Sequence, residues 1–212
     1  MKRNQPRIPE QLTSVQLQDA MHEEDPYVLN ASVIDSRLDG QTIERAHFTA
    51  AHIKNTSFQG SVLPGLFLTD VRFENCDFSN ADLTGISIHR ASFHNCKMLG
   101  VNFTEARFTG VLFEECICNL SAFVHAKWER VWFETCQLKD ADFFDCKLKH
   151  TYFAECNLES CSFDETPLKG VELRTSEFEH MTISMEDLDG CIVSSVQAVQ
   201  FAAMMGLDIR DE

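Results

Sequence analysis

Apolar residues recur along this chain at every fifth position. From Val33 to Val193, all 33 residues whose numbers end in 3 or 8 are Val, Ile, Leu, Met, Phe or Trp, apart from Cys118. Fourteen of the 17 phenylalanines occupy these positions. Neither the helical period of 3.6 residues nor the strand period of 2 gives such a spacing. In 28 of the 33 units the residue two places earlier is Ala, Ser, Thr, Val or Cys, so each unit pairs a small side chain with a large one.

Residues that tolerate a left-handed backbone follow these apolar centres. Eight of the nine glycines, together with Asn55, Asn75, Asn80 and Asn95, lie two residues after a centre. Gly and Asn accept positive φ at low cost, so this position predicts a corner. A chain that turns once in every unit closes a square coil in four units. The pattern therefore predicts stacked coils about 4.8 Å apart, forming a rod of about 40 Å.

The cysteines follow the same register. Eight of the nine have numbers ending in 1 or 6, and five of them recur at a constant interval of four units, from Cys76 to Cys156. Zinc sites need paired ligand spacings, and the close pair in this chain is Cys116 with Cys118. Buried cysteine acts as a small hydrophobic residue. We therefore predict no metal site, no disulfide and no cofactor.

Several units resemble the repeat of a known family. NADLT (80–84), EARFT (105–109) and DADFF (140–144) are similar to the motif of pentapeptide-repeat proteins, and the resemblance covers about 160 of the 212 residues. It implies an all-β fold, a right-handed quadrilateral β-helix. The predicted organisation is an N-terminal cap over 1–30, partly helical or irregular, a β-helix of about eight coils over 31–193, and a C-terminal helix and tail over 194–212.

The C-terminal segment combines helix signals with a surplus of apolar residues. Ser194 and Gln197 form a capping-box pattern, and Gly206 is a helix stop. Some apolar side chains are expected to plug the last coil, and the remainder to form a two-fold dimer contact. A cap confined to one chain is the alternative. The residues predicted for dimerisation are Val199, Phe201, Ala202, Met204, Met205, Leu207 and Ile209.

The segment DLDGCIVSSVQAVQFAAMMGLDI resembles the ending of quinolone-resistance pentapeptide proteins of the Qnr and MfpA type. LTSVQLQDA, SFHNCKMLGVNF and PLKGVELRTSEFE resemble the loopless chromosomal members found in Gram-positive bacteria. This resemblance implies a protein that mimics DNA, binds DNA gyrase or topoisomerase IV, and protects the enzyme from quinolones.

The net charge is −15. Nucleic acids and anionic membranes attract basic surfaces, so this charge argues against both as partners. No apolar run is long enough for a membrane span, and the basic start lacks the apolar segment of a secretory signal, so we expect a cytoplasmic protein. Solubility alone is the alternative explanation of the acidity.

The acidic residues are unevenly distributed around the predicted coil. One edge and the adjoining side carry the proposed partner-binding stripe, which comprises Asp35, Glu74, Asp77, Glu114, Glu115, Glu134 and Glu155. The opposite side collects basic residues: Arg90, Arg107, Lys127, Arg130, Lys147, Lys149 and Lys169. A rigid line of carboxylates presents a fixed negative field, as a duplex does with its phosphates.

Catalysis finds no support in the sequence. The eight histidines are scattered over different sides, and no nucleophile elbow, phosphate loop or dinucleotide motif is present. We predict no catalytic residue and no enzyme activity. Two other hypotheses stay open: an interaction scaffold or immunity factor for a different partner, and a metal-binding or redox protein.

Overall fold

The computed structural model describes residues 5–21 and 25–210, which form a parallel β-solenoid of about eight turns. The predicted fold class is confirmed. Residues 1–4, 22–24 and 211–212 belong to the predicted caps and lie outside the described residues. The elements are β1 (Thr13–Ser14), α1 (Leu17–Ala20), β2 (Tyr27–Leu29), β3 (Ala31–Ile34), β4 (His47–Lys54), β5 (Phe67–Glu74), β6 (Ser87–His94), β7 (Arg107–Glu114), β8 (Lys127–Glu134), β9 (Lys147–Ala154), β10 (Cys161–Ser162), β11 (Met181–Thr182) and α2 (Ser195–Met204).

Each coil of the solenoid has four sides. The eight-residue strands β4 to β9 bend at a corner and so supply two sides, which we call side 1 (for example 107–109) and side 2 (111–114). Side 3 and side 4 pair through single bridges such as Asp77 with Lys97 and Asp82 with Asn102. Paired segments run parallel and are offset by one full coil. Residues separated by one coil are therefore stacked along the rod.

The corners have the backbone conformation that the Gly and Asn positions predict. From Asn30 to Gly170 every fifth residue has φ between 47° and 77°, and most of these corner positions are not Gly. A left-handed conformation costs a residue with a Cβ roughly 1–2 kcal/mol. Backbone bonds between coils offset this cost, as when Gly100 N donates to Asn119 O at 2.9 Å. The regular corners are interrupted after Gly170 and positive φ returns at Gly190.

The large residues of the repeat fill the interior. Of the 33 predicted centres, 29 are buried, and the exceptions are Leu148, Ile183, Leu188 and Val193. Aromatic rings stack in columns along the axis: Phe93, Phe113 and Phe133 are nearly parallel, with centroids 4.9 and 4.6 Å apart. Offset ring pairs of this kind add about 0.5–1.5 kcal/mol each beyond burial.

Eight of the nine cysteines occupy the small inward positions of the repeat, and Cys118 occupies a centre. All nine are free, and eight are buried. Cys116 Sγ donates to the carbonyls of Phe93 and Glu114 at 3.4 Å, and Cys136 repeats this geometry one coil later. Within the described residues no His, Cys, Asp or Glu side chains group as ligands for a metal ion.

The N-terminal segment closes the first coil and extends along the rod. Val28 is buried and pairs with Phe48, so the coil begins before the predicted boundary at residue 31. Leu17 in α1 is fully buried. Further upstream, Arg7 N donates to Asp70 Oδ1 at 2.9 Å, which ties the segment to a corner several coils away.

Helix α2 caps the other end through its predicted capping box. Ser194 and Gln197 exchange hydrogen bonds between side chain and backbone. Gln197 Nε2 also donates to the carbonyls of Leu173 and Ser176, at 2.7 and 2.8 Å. Phe201 is buried and its ring centroid lies 5.1 Å from that of Phe178. Phe201 was predicted to face a second chain, but the structure buries it in the intrachain cap.

None of the helices that the structure describes is long and apolar enough to cross a membrane.

Candidate functional site

The corner between side 2 and side 3 gathers acidic residues in adjacent coils. Glu114 and Glu134 are paired in register on β7 and β8, and Glu115 follows at the corner. Glu115 N donates to Glu134 O at 3.0 Å, so the backbone holds these residues one rung apart. Glu155 occupies the same corner two coils beyond Glu115 and is exposed. We call Glu114, Glu115, Glu134 and Glu155 the acidic cluster.

Stacked carboxylates of like charge repel one another, because directly opposed like charges destabilise a strand pair. A histidine lies beside the cluster, since His94 Nδ1 is 2.7 Å from Glu114 Oε2. Glu114, Glu115, Glu134 and Glu155 thus place four carboxylates along one edge of the rod.

Glu74 has a different environment from the rest of the predicted stripe. Its carboxylate lies 3.2 Å from His52, 3.7 Å from Lys54 and 3.8 Å from Arg72. These basic groups come from the same strand and from the coil before it. They offset the charge of Glu74, so the stripe is not uniformly negative along its length.

Asp35 and Asp77 are held by amide groups. Asp35 accepts a hydrogen bond from Asn55 Nδ2 at 3.0 Å, at the start of a ladder in which Asn75 donates to Asn55 and Asn95 to Asn75. Burial raises the pKa of Asp77, but hydrogen bonds from Ser79 and Gln59 outweigh it and lower the pKa below its ordinary value. Asp35 lies at the same corner as Glu115, four coils earlier, and Asp77 lies on side 3.

The C-terminal end exposes the apolar surface predicted for dimerisation. Val199, Leu207 and Ile209 are 51%, 63% and 45% exposed, and Met205 is also exposed. Ala202 and Met204 are half-buried against the cap. Val196, at 68% exposure, extends this surface and was not among the predicted residues.

At the corner between side 1 and side 2, a partly buried ion pair joins the rod to the N-terminal segment. Arg90 donates to both oxygens of Asp70 at 2.7 Å, and Asp70 also accepts from Arg7 N. Sequence reasoning placed Arg90 in a basic patch and did not find this pair. The sequence does contain a signal for this pair, because Asp70 and Arg90 have opposite charges, are separated by one coil and are therefore stacked.

Comparisons with known proteins agree with this geometry. The family described as a pentapeptide repeat region matches residues 66–143 and 126–201, and the one described as pentapeptide repeats (8 copies) matches residues 43–85. No curated protein matches the chain.

Two solved structures of pentapeptide-repeat proteins are similar to this chain at low identity. HetL, a pentapeptide repeat protein involved in heterocyst differentiation regulation from the cyanobacterium Nostoc sp. strain PCC 7120, is 14% identical with a TM-score of 0.56, over 88% of this chain and 92% of HetL. Full-length QnrB1, a plasmid-mediated fluoroquinolone resistance protein, is 16% identical with a TM-score of 0.37, over 85% of this chain and 99% of QnrB1. Identities of this size bear on the fold alone.

Proposed function

Because this chain belongs to the pentapeptide-repeat family, we propose that it is a non-catalytic binding rod that mimics DNA and engages a type II topoisomerase. DNA gyrase and topoisomerase IV are the proposed targets, and protection of the enzyme from quinolones is the proposed outcome. The resemblance of residues 187–209 to the ending of quinolone-resistance pentapeptide proteins suggests this target. The acidic cluster is the observation that carries the proposal.

The cluster suits a basic DNA-binding surface for a physical reason. Its carboxylates lie on rungs about 4.8 Å apart, while B-DNA presents one phosphate per about 3.4 Å along each strand. The coil ladder fixes this spacing before any partner arrives, so little ordering entropy is lost on binding. Attraction between the edge and a basic surface speeds encounter and weakens as salt screens the charges.

We further propose that the rod is a homodimer formed through α2 and the segment after it. Val196 and Val199 lie one turn apart on α2, and Leu207 and Ile209 follow in the tail. A contiguous exposed apolar surface of this kind is typical of an interaction site. A two-fold contact would bury the same patch on both chains and double the length of the rod.

The function can be tested by a supercoiling assay with purified gyrase and a quinolone. We expect micromolar wild-type protein to shift the quinolone concentration that halves supercoiling. The variant Glu114→Gln/Glu115→Gln/Glu134→Gln is expected to lose this shift, because it removes three charges and keeps the shape of each side chain. An unchanged quinolone response with wild-type protein would count against the proposal.

A matched control separates the cluster from net charge. Glu105→Gln/Asp164→Asn/Glu165→Gln also removes three negative charges, but from the diagonally opposite corner and the residue beside it. We expect this control to protect gyrase as the wild type does. If both triple variants lose protection equally, the effect reflects overall charge and not the acidic cluster.

The dimer can be tested by sedimentation or light scattering. Leu207→Glu places a charge in the exposed apolar surface and should convert dimers to monomers. Met185→Glu changes an exposed apolar residue that lies outside α2 and its tail, and should leave the dimer intact. A monomeric wild-type protein would refute the dimer without affecting the test of the acidic cluster.

A further inference from the structure

Side 1 of the rod carries three cations stacked directly on one another. Arg107, Lys127 and Lys147 are paired in register on β7, β8 and β9, and all three are exposed. Within residues 5–21 and 25–210, their side chains form no hydrogen bond or ion pair. Opposed like charges destabilise a strand pair. An anion lying along the row would remove this repulsion.

The coil wall opens beside this row. Pro167 stands where a strand residue would donate to the preceding coil, and proline has no N–H. Among the described residues, no backbone hydrogen bond joins 147–150 to 167–170, whereas Lys147 N still donates to Ala126 O at 3.0 Å. Leu148 is consequently only partly buried, although its position in the five-residue repeat predicts an interior side chain. The interrupted ladder leaves the backbone N–H groups of Leu148 and Lys169 without a partner in the described chain.

The result is a groove of about 570 Å³ with an apolar floor and a basic rim. Phe108, Trp128 and Leu148 contribute to the floor, and Lys149 and Lys169 extend the rim. Trp128 is 2% exposed, yet its Nε1 has no acceptor among the described residues. A buried indole N–H without an acceptor is costly, but this Nε1 is shielded from solvent, so the basic rim and not Trp128 is the part of the groove that meets a ligand.

One acidic residue lines the groove, but its charge is already offset. Glu129 Oε1 lies 2.6 Å from Arg130 Nη1 and 3.8 Å from Lys149 Nζ. Lys169 pairs with Asp189 at 3.4 Å, and both side chains are largely exposed, so this pair is weak and exchangeable. The groove therefore keeps a positive field on a chain whose net charge is −15.

We propose that this groove binds a small polyphosphorylated molecule. Three stacked cations are a better match for an anion that carries several charges in a row than for an anion that carries a single carboxylate. A volume of about 570 Å³ lies within the range of small-molecule sites, about 300–1,000 Å³. A long nucleic acid would extend beyond the groove over acidic surface and be repelled there. The site lies on side 1, so it does not depend on the proposed topoisomerase contact.

Titration calorimetry with inorganic tripolyphosphate, at constant ionic strength, tests the proposal. We expect one binding site per chain, and we expect Lys127→Gln/Lys147→Gln to weaken binding at least tenfold. Lys97→Gln/Lys139→Gln removes two exposed lysines from side 3 and should bind as the wild type does. Absence of binding, or equal weakening in both variants, would overturn the proposal. Tighter binding of a DNA duplex than of tripolyphosphate would also overturn it.

Thermal unfolding without any polyanion gives a second readout that does not depend on the choice of probe. Because Lys127 lies between Arg107 and Lys147, Lys127→Gln removes repulsion on both sides and should raise the unfolding temperature. Tripolyphosphate should raise the unfolding temperature of the wild type and have little effect on the double variant. A Lys127→Gln protein that unfolds at a lower temperature than the wild type would contradict the inferred repulsion.

Discussion

Replacing Phe113 by Ala should destabilise the solenoid far more than the same replacement at Phe67. Phe113 is fully buried and its ring is stacked between those of Phe93 and Phe133, at centroid distances of 4.9 and 4.6 Å. Phe67 lies on a paired strand as well, but it points outward, is 46% exposed and stacks on His47, at 4.7 Å. The two variants thus compare an interior position with an exterior one in the same kind of strand.

The magnitudes follow from burial and stacking. A buried Phe→Ala change costs about 3–5 kcal/mol, which includes the cavity that it leaves. At Phe67 about half of the burial term of roughly 1.5–3 kcal/mol is absent, and no cavity forms, so we expect about 1 kcal/mol. The difference between the variants should therefore be at least about 2 kcal/mol.

Urea unfolding, followed by circular dichroism, measures the loss in free energy of unfolding for each variant. The comparison holds if the slope of that free energy against urea concentration is the same for both variants. Equal destabilisation by Phe113→Ala and Phe67→Ala would show that residues with numbers ending in 3 do not line the interior, and the square-coil register would be wrong.

Three further predictions concern thiols, an ion pair and a cap. Eight of the nine cysteines are buried from a reagent, and burial raises the pKa of the half-buried Cys191 to about 11, so at pH 8 a thiol reagent should modify at most Cys191 in native protein and all nine cysteines after unfolding. Burial raises the pKa of Asp70, but the hydrogen bonds from Arg90 and Arg7 lower it below 3.8 overall. Asp70→Asn should therefore cost about 1–3 kcal/mol at pH 7, a loss that disappears as acid protonates Asp70 in the wild type and that acid unfolding curves would show. Ser194→Ala should cost about 1 kcal/mol in urea unfolding, and an unchanged midpoint would contradict the capping box.

The interior and the corners could be predicted from the sequence because they repeat. A side chain such as Phe93 is placed by a register that 33 units share, and glycines such as Gly100 mark where the backbone turns, even though many other corners carry larger residues. Departures from the repeat carry less information. The irregular backbone between Gly170 and Gly190 keeps apolar centres in sequence, and the one sign of it in the pattern is that Met181 and Glu186 stand where most units have a small residue.

The candidate surfaces were only partly predictable, since charge depends on neighbours as well as on position. Glu74 and Glu114 occupy equivalent places, yet Lys54 and Arg72 lie beside Glu74, whereas His94 is the basic partner of Glu114 among the described ion pairs. Writing the sequence with one coil in each row would have placed Lys54 beside Glu74, and so would have shown part of this difference in charge.

Pro167 was also a readable signal, because proline in a strand position interrupts a ladder. The contact between Arg7 and Asp70 joins distant segments and has no local signature in the sequence.

The affinity of the purified protein for DNA gyrase at two salt concentrations tests the central claim most directly. We expect the wild type to bind, its affinity to fall as salt rises, and the variant Glu114→Gln/Glu115→Gln/Glu134→Gln to bind at least tenfold more weakly at low salt. A wild type that does not bind gyrase, or one that binds with the same affinity as this variant, would contradict the role of the acidic cluster.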